Sequence, residues 1–308
     1  MKEYKYLFGP VPSRRMGLSI GVSPIPKKYC NYSCIYCQLG RTNHLTNERK
    51  CFFELEDILE EFKDYLKSEK AFDVVTVVGE GEPTLYKDLG KLIIELKKHT
   101  TKPVAVITNG GLLNKKEVRD DLKNADIVLP SFDACDEKTF KKVDRAHGRI
   151  NFSEIYEGLI DFSNEYEGQL WIETMIMKDL NDDEESLMKM KKLLEKVKYD
   201  RLYINTPVRP PAEEWVEQVS SDKISLAVNI LKGISIDMLD SKGFASEVED
   251  DYEAIISIIR RHPMNQYEIR SFLESRNCNN IEDILERLQE VKNVDIVAYK
   301  GYDTYRFI

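Results

Sequence analysis

Three cysteines, Cys30, Cys34 and Cys37, lie within eight residues at CxxxCxxC spacing, with Tyr36 just ahead of the last. Thiolates this close in sequence face one centre only if the loop curls around it, so metal capture is the chemistry the stretch offers. A closed zinc site wants four ligands, and the stretch on to Cys51 adds only His44. An iron–sulfur cluster can instead sit on three thiolates and leave one iron open to a substrate or cofactor. Cys51, Cys135 and Cys278 lie outside the loop and read as small buried hydrophobes.

The elements that must position this loop follow from periodicity. Leu18 to Val22 reads as a strand inside an otherwise irregular, Gly- and Pro-rich lead-in over residues 1–29. Helical spacing at Leu55, Ile58, Leu59, Phe62 and Leu66 is followed by the short apolar run Val74 to Val78. The same alternation gives strands at Val104–Ile107, Ile127–Leu129, Leu170–Ile176 and Leu202–Ile204, each separated by a helical stretch. Strands alternating with helices make a parallel sheet wound by right-handed crossovers, so a full or partial barrel is expected. Ligands in such folds gather at the carboxyl ends of the strands. Those ends read Gly79-Glu80-Gly81-Glu82-Pro83-Thr84, Ile107-Thr108-Asn109-Gly110, Pro130-Ser131-Phe132-Asp133, Glu173-Thr174-Met175 and Asn205-Thr206-Pro207. All are polar and in phase, with the cysteine loop after the first strand.

Two features lie beyond this region. Residues 241–250 mix Gly, Ser and acidic side chains and read as a linker, placing a barrel domain at 1–240 and a small domain at 251–308. The latter shows helices at Tyr252–Arg261, Asn265–Leu273 and Ile281–Val291, then Val294–Ala298 and Thr304–Ile308 around Lys300-Gly301-Tyr302-Asp303 as a hairpin. Three helices and a hairpin are the outline of a winged helix. It holds eight Lys/Arg against ten Asp/Glu, and the whole chain carries −9, so a protein- or substrate-contacting role is favoured over a groove reader. No stretch approaches the roughly 18 consecutive apolar residues of a membrane span, and Met1 to Phe8 lacks the apolar region of a signal peptide. A cytoplasmic setting is expected, consistent with cysteines clustered at one end rather than spread as a disulfide framework.

The spacing of Cys30, Cys34 and Cys37 with Tyr36, and Gly81-Glu82-Pro83 after the second strand, resemble the signatures of the radical S-adenosylmethionine (radical SAM) superfamily over residues 15–210. The resemblance implies a partial (βα)6 TIM-type barrel. It also implies a four-iron four-sulfur cluster on the three thiolates, whose open iron is chelated by SAM. On that pattern Glu82, with the Gly79–Gly81 backbone, receives the methionine ammonium. Thr108, Asn109, Ser131 and Asp133 face the carboxylate and ribose, and Tyr36 and Asn205 border adenine. The implied activity is reductive cleavage of SAM to a 5′-deoxyadenosyl radical that takes hydrogen from a substrate, with an electron donor such as flavodoxin or ferredoxin. Phe8-Gly9-Pro10-Val11-Pro12-Ser13-Arg14-Arg15 and Asn205 to Pro211 further resemble a stand-alone group related to wybutosine-type tRNA enzymes. Those enzymes carry an additional N-terminal cysteine set, and no cysteine precedes Cys30 here. The substrate stays open between a peptide or protein and a tRNA base, and a zinc-binding nucleic-acid regulator is the alternative from a different class. Residues over the barrel mouth, Arg14, Arg15 and Arg209 among them, are the candidates to meet an anionic group.

Overall fold

The computed structural model describes residues 4–68, 70–236, 244, 246, 248, 250–260, 262–299 and 302–308. The chain begins with an antiparallel pair, β1 (Leu7–Ser13) and β2 (Gly17–Val22), and reaches the cysteine loop through a short parallel pair, β3 (Tyr29–Cys30) and β4 (His44–Leu45). Then come α1 (Leu55–Leu66), β5 (Val74–Val77), α2 (Leu89–His99), β6 (Val104–Thr108), α3 (Lys116–Leu122) and β7 (Ile127–Pro130). These are followed by α4 (Glu137–Val143), α5 (Phe152–Glu165), β8 (Gln169–Met175), α6 (Glu184–Leu194), β9 (Arg201–Asn205), α7 (Ser221–Leu231) and β10 (Ile234–Ser235). Among the described residues these strands make one eight-stranded sheet in the order β1-β2-β5-β6-β7-β8-β9-β10, parallel from β2 onward. This is the partial barrel expected.

The lead-in departs from the expectation of irregular chain: β1 is a strand despite Gly9, Pro10 and Pro12. It occupies the sheet edge, where missing N–H donors cost no ladder bonds, and its register slips between Phe8 and Val11. Helix α4 also escaped the pattern, because its seven residues bury only Phe140 and Val143. It starts where the Asp136 carboxylate accepts from the Thr139 N–H, and Asn151, Asp183 and Ser220 cap α5, α6 and α7 in the same way.

The two faces of the sheet have different work. Val75, Val77, Val104, Val106, Val128 and Ile172 point outward against the helices and form the main core. Val74, Ala105, Ile127, Leu129, Trp171 and Tyr203 fill the interior as a separate apolar cluster. Toward the carboxyl ends the chain becomes polar: the Ser19 and Thr76 hydroxyls share a hydrogen bond of 2.6 Å, and Asn205 donates to Glu173 at 3.0 Å. The apolar plug therefore supports a polar mouth.

Residues 251–308 hold α8 (Asp251–Ile259), β11 (Met264–Asn265), α9 (Gln266–Ser275), α10 (Ile281–Glu290), β12 (Val294–Tyr299) and β13 (Tyr302–Phe307). The three strands pair antiparallel in the order β11-β13-β12, and Ile255, Ile259, Phe272, Leu273, Leu288 and Tyr305 belong to a core of their own. The three helices and the terminal hairpin fall where the sequence placed them. Of the expected linker 241–250, only Phe244, Ser246, Val248 and Asp250 are among the described residues, and Lys300 and Gly301 of the expected turn lie outside them.

Candidate active site at the barrel mouth

The cysteine loop is laced to the loop after β5. The Lys28 N–H donates to the Glu80 carbonyl at 2.6 Å and the Glu82 N–H to the Tyr29 carbonyl at 3.0 Å. Approach is so close that a Cβ on Gly81 would fall inside the Tyr29 carbonyl, which is why glycine stands there. Glu82 is 2% exposed. Its Oε1 accepts from the Thr84 N–H at 3.0 Å and from the Thr84 and Thr108 hydroxyls, both at 2.6 Å, while Oε2 accepts from the Asn109 N–H at 2.8 Å. Burial pushes its carboxyl above the usual range against the pull of these four donors. One Oε2 lone pair is left for an incoming donor.

Asn109 continues the network. Its amide donates to the Asn31 side-chain oxygen at 2.7 Å and leans on Cys30 Sγ at 3.6 Å, which the Tyr32 N–H also approaches at 3.4 Å. The strand ends of β5 and β6 are thus joined to the first cysteine through side chains. A second group forms on the far side of the loop. The Tyr36 hydroxyl donates to the Asp133 carboxylate, which also accepts from the Met175 N–H at 2.7 Å. The Cys34 thiol lies 3.7 Å from Asp144. Asp133 is raised by burial to about 6, and Asp144 is raised by burial and by the charge of Asp133.

Of the residues singled out by sequence, Cys30, Glu82, Thr108 and Asn109 join one network, and Tyr36 and Asp133 another. Ser131 sits in a bridge with Glu173, and Asn205 bonds to that same Glu173, to which Arg15 is also paired. Gly79 and Asn205 line a cavity of about 810 Å³ that continues beyond the sheet. Asn31 and Asp144 were not found by sequence reasoning, and the signal for each was weak. Asn31 hides inside the cysteine motif, and Asp144 ends a helix that periodicity did not reveal.

Two expectations are corrected. Cys51 is exposed and Cys278 half-buried, so of the three outlying thiols only Cys135 is buried. Arg209 is not poised to clamp a ligand. Its guanidinium is committed to the small domain, donating to the Pro263 carbonyl, to His262 Nε2 at 2.8 Å and to both Glu268 oxygens at 3.3 and 3.4 Å. Burial and that cation push His262 well below its ordinary value, so the ring stays neutral and accepts. Lys27 adds a second tie, to the Phe307 carbonyl at 3.0 Å. A third staple holds the loop after β9: the Glu213 carboxylate receives both arms of Arg41 at 2.9 Å and also Arg145, and its N–H donates to the Ile35 carbonyl at 3.0 Å.

The Radical SAM superfamily profile matches residues 25–191, which contain the cysteine loop, Glu82, Asn109 and Asp133. The chain belongs to the radical SAM superfamily. A UPF0026 protein of Methanocaldococcus jannaschii is 37% identical over 306 residues, covering 96% of this chain and 93% of that one. A Brachyspira hyodysenteriae protein named GTPase Obg is also 37% identical, over 98% of this chain, but the chain spans only 45% of that longer relative. Among solved structures, TYW1 with a lysine-pyruvate adduct shares the fold at a TM-score of 0.50 and 20% identity, over 70% of this chain and 72% of that one.

Radical SAM superfamily members use a four-iron four-sulfur cluster and SAM, and the donor set fits the cluster. The three thiols are free and lie in one loop, and two N–H donors are aimed at Cys30 Sγ. Burial pushes the Cys30, Cys34 and Cys37 thiols up, a cost that a bound cationic metal would offset. Among the described residues no helix is long and apolar enough to cross a membrane.

Proposed function

We propose that this chain is a radical SAM enzyme in which Cys30, Cys34 and Cys37 hold the cluster and the strand ends hold SAM. The observation that carries the reading is Asn109, whose backbone N–H donates to the Glu82 carboxylate while its side-chain amide reaches Cys30 Sγ, which links the cysteine loop to the β5 and β6 ends. A reduced cluster held there would supply the electron for reductive cleavage of the carbon–sulfur bond of SAM, to methionine and a 5′-deoxyadenosyl radical able to take hydrogen from the substrate.

The chain's own residues bind, orient and exclude water. The open lone pair of Glu82 Oε2 receives the methionine ammonium, and the Gly79–Gly81 backbone gives it room. Thr108 and Asn109 hold the carboxylate end, Ser131 and Asp133 the ribose, and Tyr36 and Asn205 border adenine. The substrate occupies the 810 Å³ cavity, whose walls come from both the barrel and the 251–308 domain. That size suits a small molecule, or a single residue of something larger, lying beside the SAM residues, of which Gly79 and Asn205 reach its wall. Residues 251–308 are read as a winged-helix module serving as the roof. Its position over the mouth and its excess of acidic residues support that role over groove reading. A flavodoxin- or ferredoxin-type donor and a reducing, cytoplasmic setting complete the proposal.

The test is anaerobic reconstitution. Four irons per chain, and release of 5′-deoxyadenosine and methionine from SAM under reduction, are expected of the wild type and not of Cys34→Ala. One zinc per chain without iron would overturn the reading.

A further inference from the structure

Hydrogen bonds at the cysteine loop fix the direction of one amide after another. The Gly111 N–H donates to Asn109 Oδ1 at 2.8 Å, and Asn109 Nδ2 donates to Asn31 Oδ1 at 2.7 Å. A backbone N–H can only donate, so this order leaves Asn31 Oδ1 as an acceptor and Asn31 Nδ2 as a donor. That donor is buried and, among the described residues, has no hydrogen-bond partner. Asn31 itself is 0% exposed, its carbonyl accepts from the His147 N–H at 2.7 Å, and a Cβ on Gly111 would stand 2.8 Å from Nδ2. Glycine at 111 thus leaves the amide its place, although an unmatched buried donor costs about 1–3 kcal/mol. The chemistry beside it is sulfur. Cys30 Sγ lies 4.0 Å from Asn31 Oδ1, 3.6 Å from Asn109 Nδ2 and 3.4 Å from the Tyr32 backbone nitrogen. The Tyr32 hydroxyl is a second buried donor of this loop without a partner among the described residues, and its ring packs in one cluster with Cys30 and Cys34.

From this arrangement we infer that Asn31 sets the reduction potential of the cluster on Cys30, Cys34 and Cys37: its Oδ1 keeps the Asn109 amide on Cys30 Sγ, and its spare N–H donates to sulfur. Hydrogen bonds to cluster sulfurs are among the levers that set such potentials, because a donor stabilises the added negative charge of the reduced state more than it does the oxidised one. The donors gather at the Cys30 end of the loop, whereas Cys34 faces the Asp144 carboxylate at 3.7 Å. The step they bias is a one-electron reduction by the flavodoxin- or ferredoxin-type carrier, with no bond made or broken. The inference rests on the radical SAM reading for the cluster itself and adds the residue that tunes it.

The experiment uses the reconstituted holoenzyme without SAM, so that only the cluster and its protein donors are read. In a redox titration followed by electron paramagnetic resonance, Asn31→Ala is expected to hold four irons with the ratio of reduced to oxidised cluster at a given potential about tenfold lower, a midpoint about 59 mV more negative. The outer-helix variant Lys116→Ala is expected to titrate as the wild type does. Pulsed spectra of protein carrying 15N in its asparagine side-chain amides read the contact itself. The wild-type reduced cluster is expected to couple to the amides of Asn31 and Asn109. Asn31→Asp, which keeps the oxygen that accepts from Asn109 but carries no N–H, is expected to couple to one. If Asn31→Ala does not hold iron, the wild-type and Asn31→Asp spectra decide alone. The inference is overturned by a wild-type cluster without amide coupling, by the same couplings in Asn31→Asp as in the wild type, or by an Asn31→Ala midpoint equal to that of the wild type. Iron content and release of 5′-deoxyadenosine on adding SAM keep the two readings apart: four irons and cleavage without amide coupling sink only this inference, and absence of iron and cleavage in the wild type sinks the reading beneath it.

Discussion

Glu82, Asp133 and Asp144 sit buried at the barrel mouth, whereas half-buried Glu95 and exposed Asp120 and Glu282 sit on outer helices against Lys98, Lys116 with Lys123, and Arg270. Burial raises the first three carboxyls and neighbouring cations lower the second three. Stability alone does not place carboxylates in a desolvated cleft, since burying an acid without a cation costs free energy that an outer-helix position avoids. On the proposed reading the mouth is held ready for charge that arrives with a ligand, while the outer layer is complete in itself.

That contrast has graded consequences. Cys34→Ala is expected to have the largest effect, lowering iron content and SAM cleavage at least about 100-fold, measured by iron analysis and by chromatography of 5′-deoxyadenosine. Glu82→Gln comes next. Its new amide N–H2 would face either the Thr84 and Thr108 donors or the Asn109 N–H, so urea unfolding should report a loss of about 2 kcal/mol together with lost SAM binding. Arg209→Ala should cost about 2 kcal/mol and release the roof, seen as a separate low-temperature transition in calorimetry and a larger radius of gyration.

Glu213→Gln should cost about 1 kcal/mol at pH 7. Arg41 and Arg145 hold the Glu213 carboxyl below its ordinary value, so its contribution is present above the unfolded value and is lost as pH falls through the folded one. The difference between wild type and variant in urea unfolding should therefore shrink as pH is taken below about 4. Lys116→Ala, on an outer helix, should leave the unfolding midpoint where it is.

Much of this arrangement is legible in the sequence because it is written in local patterns. The parallel strands are short apolar runs buried on both faces, so β5, β6 and β7 stand out, and the polar residues after them mark the mouth. The cluster loop is legible because three soft ligands in eight residues have few other uses. Strand β1 is not, since Pro10 and Pro12 argue against pairing until the position at the edge is known. The commitment of Arg209 to the small domain is illegible for a different reason. Its partners Pro263, His262 and Glu268 are more than fifty residues away in sequence and share no pattern with it. Tyr267 and Tyr302 of the small domain likewise line the cavity alongside barrel residues far from them in sequence. Local chemistry could place the reaction but not its roof.

The most direct test of a single site at the mouth is the electron paramagnetic resonance spectrum of the reduced cluster with and without SAM. The account predicts that SAM shifts the cluster signal in the wild type, and that Glu82→Gln keeps four irons and the signal but loses the shift. A cluster signal indifferent to SAM in the wild type, or an unchanged shift in Glu82→Gln, would contradict it.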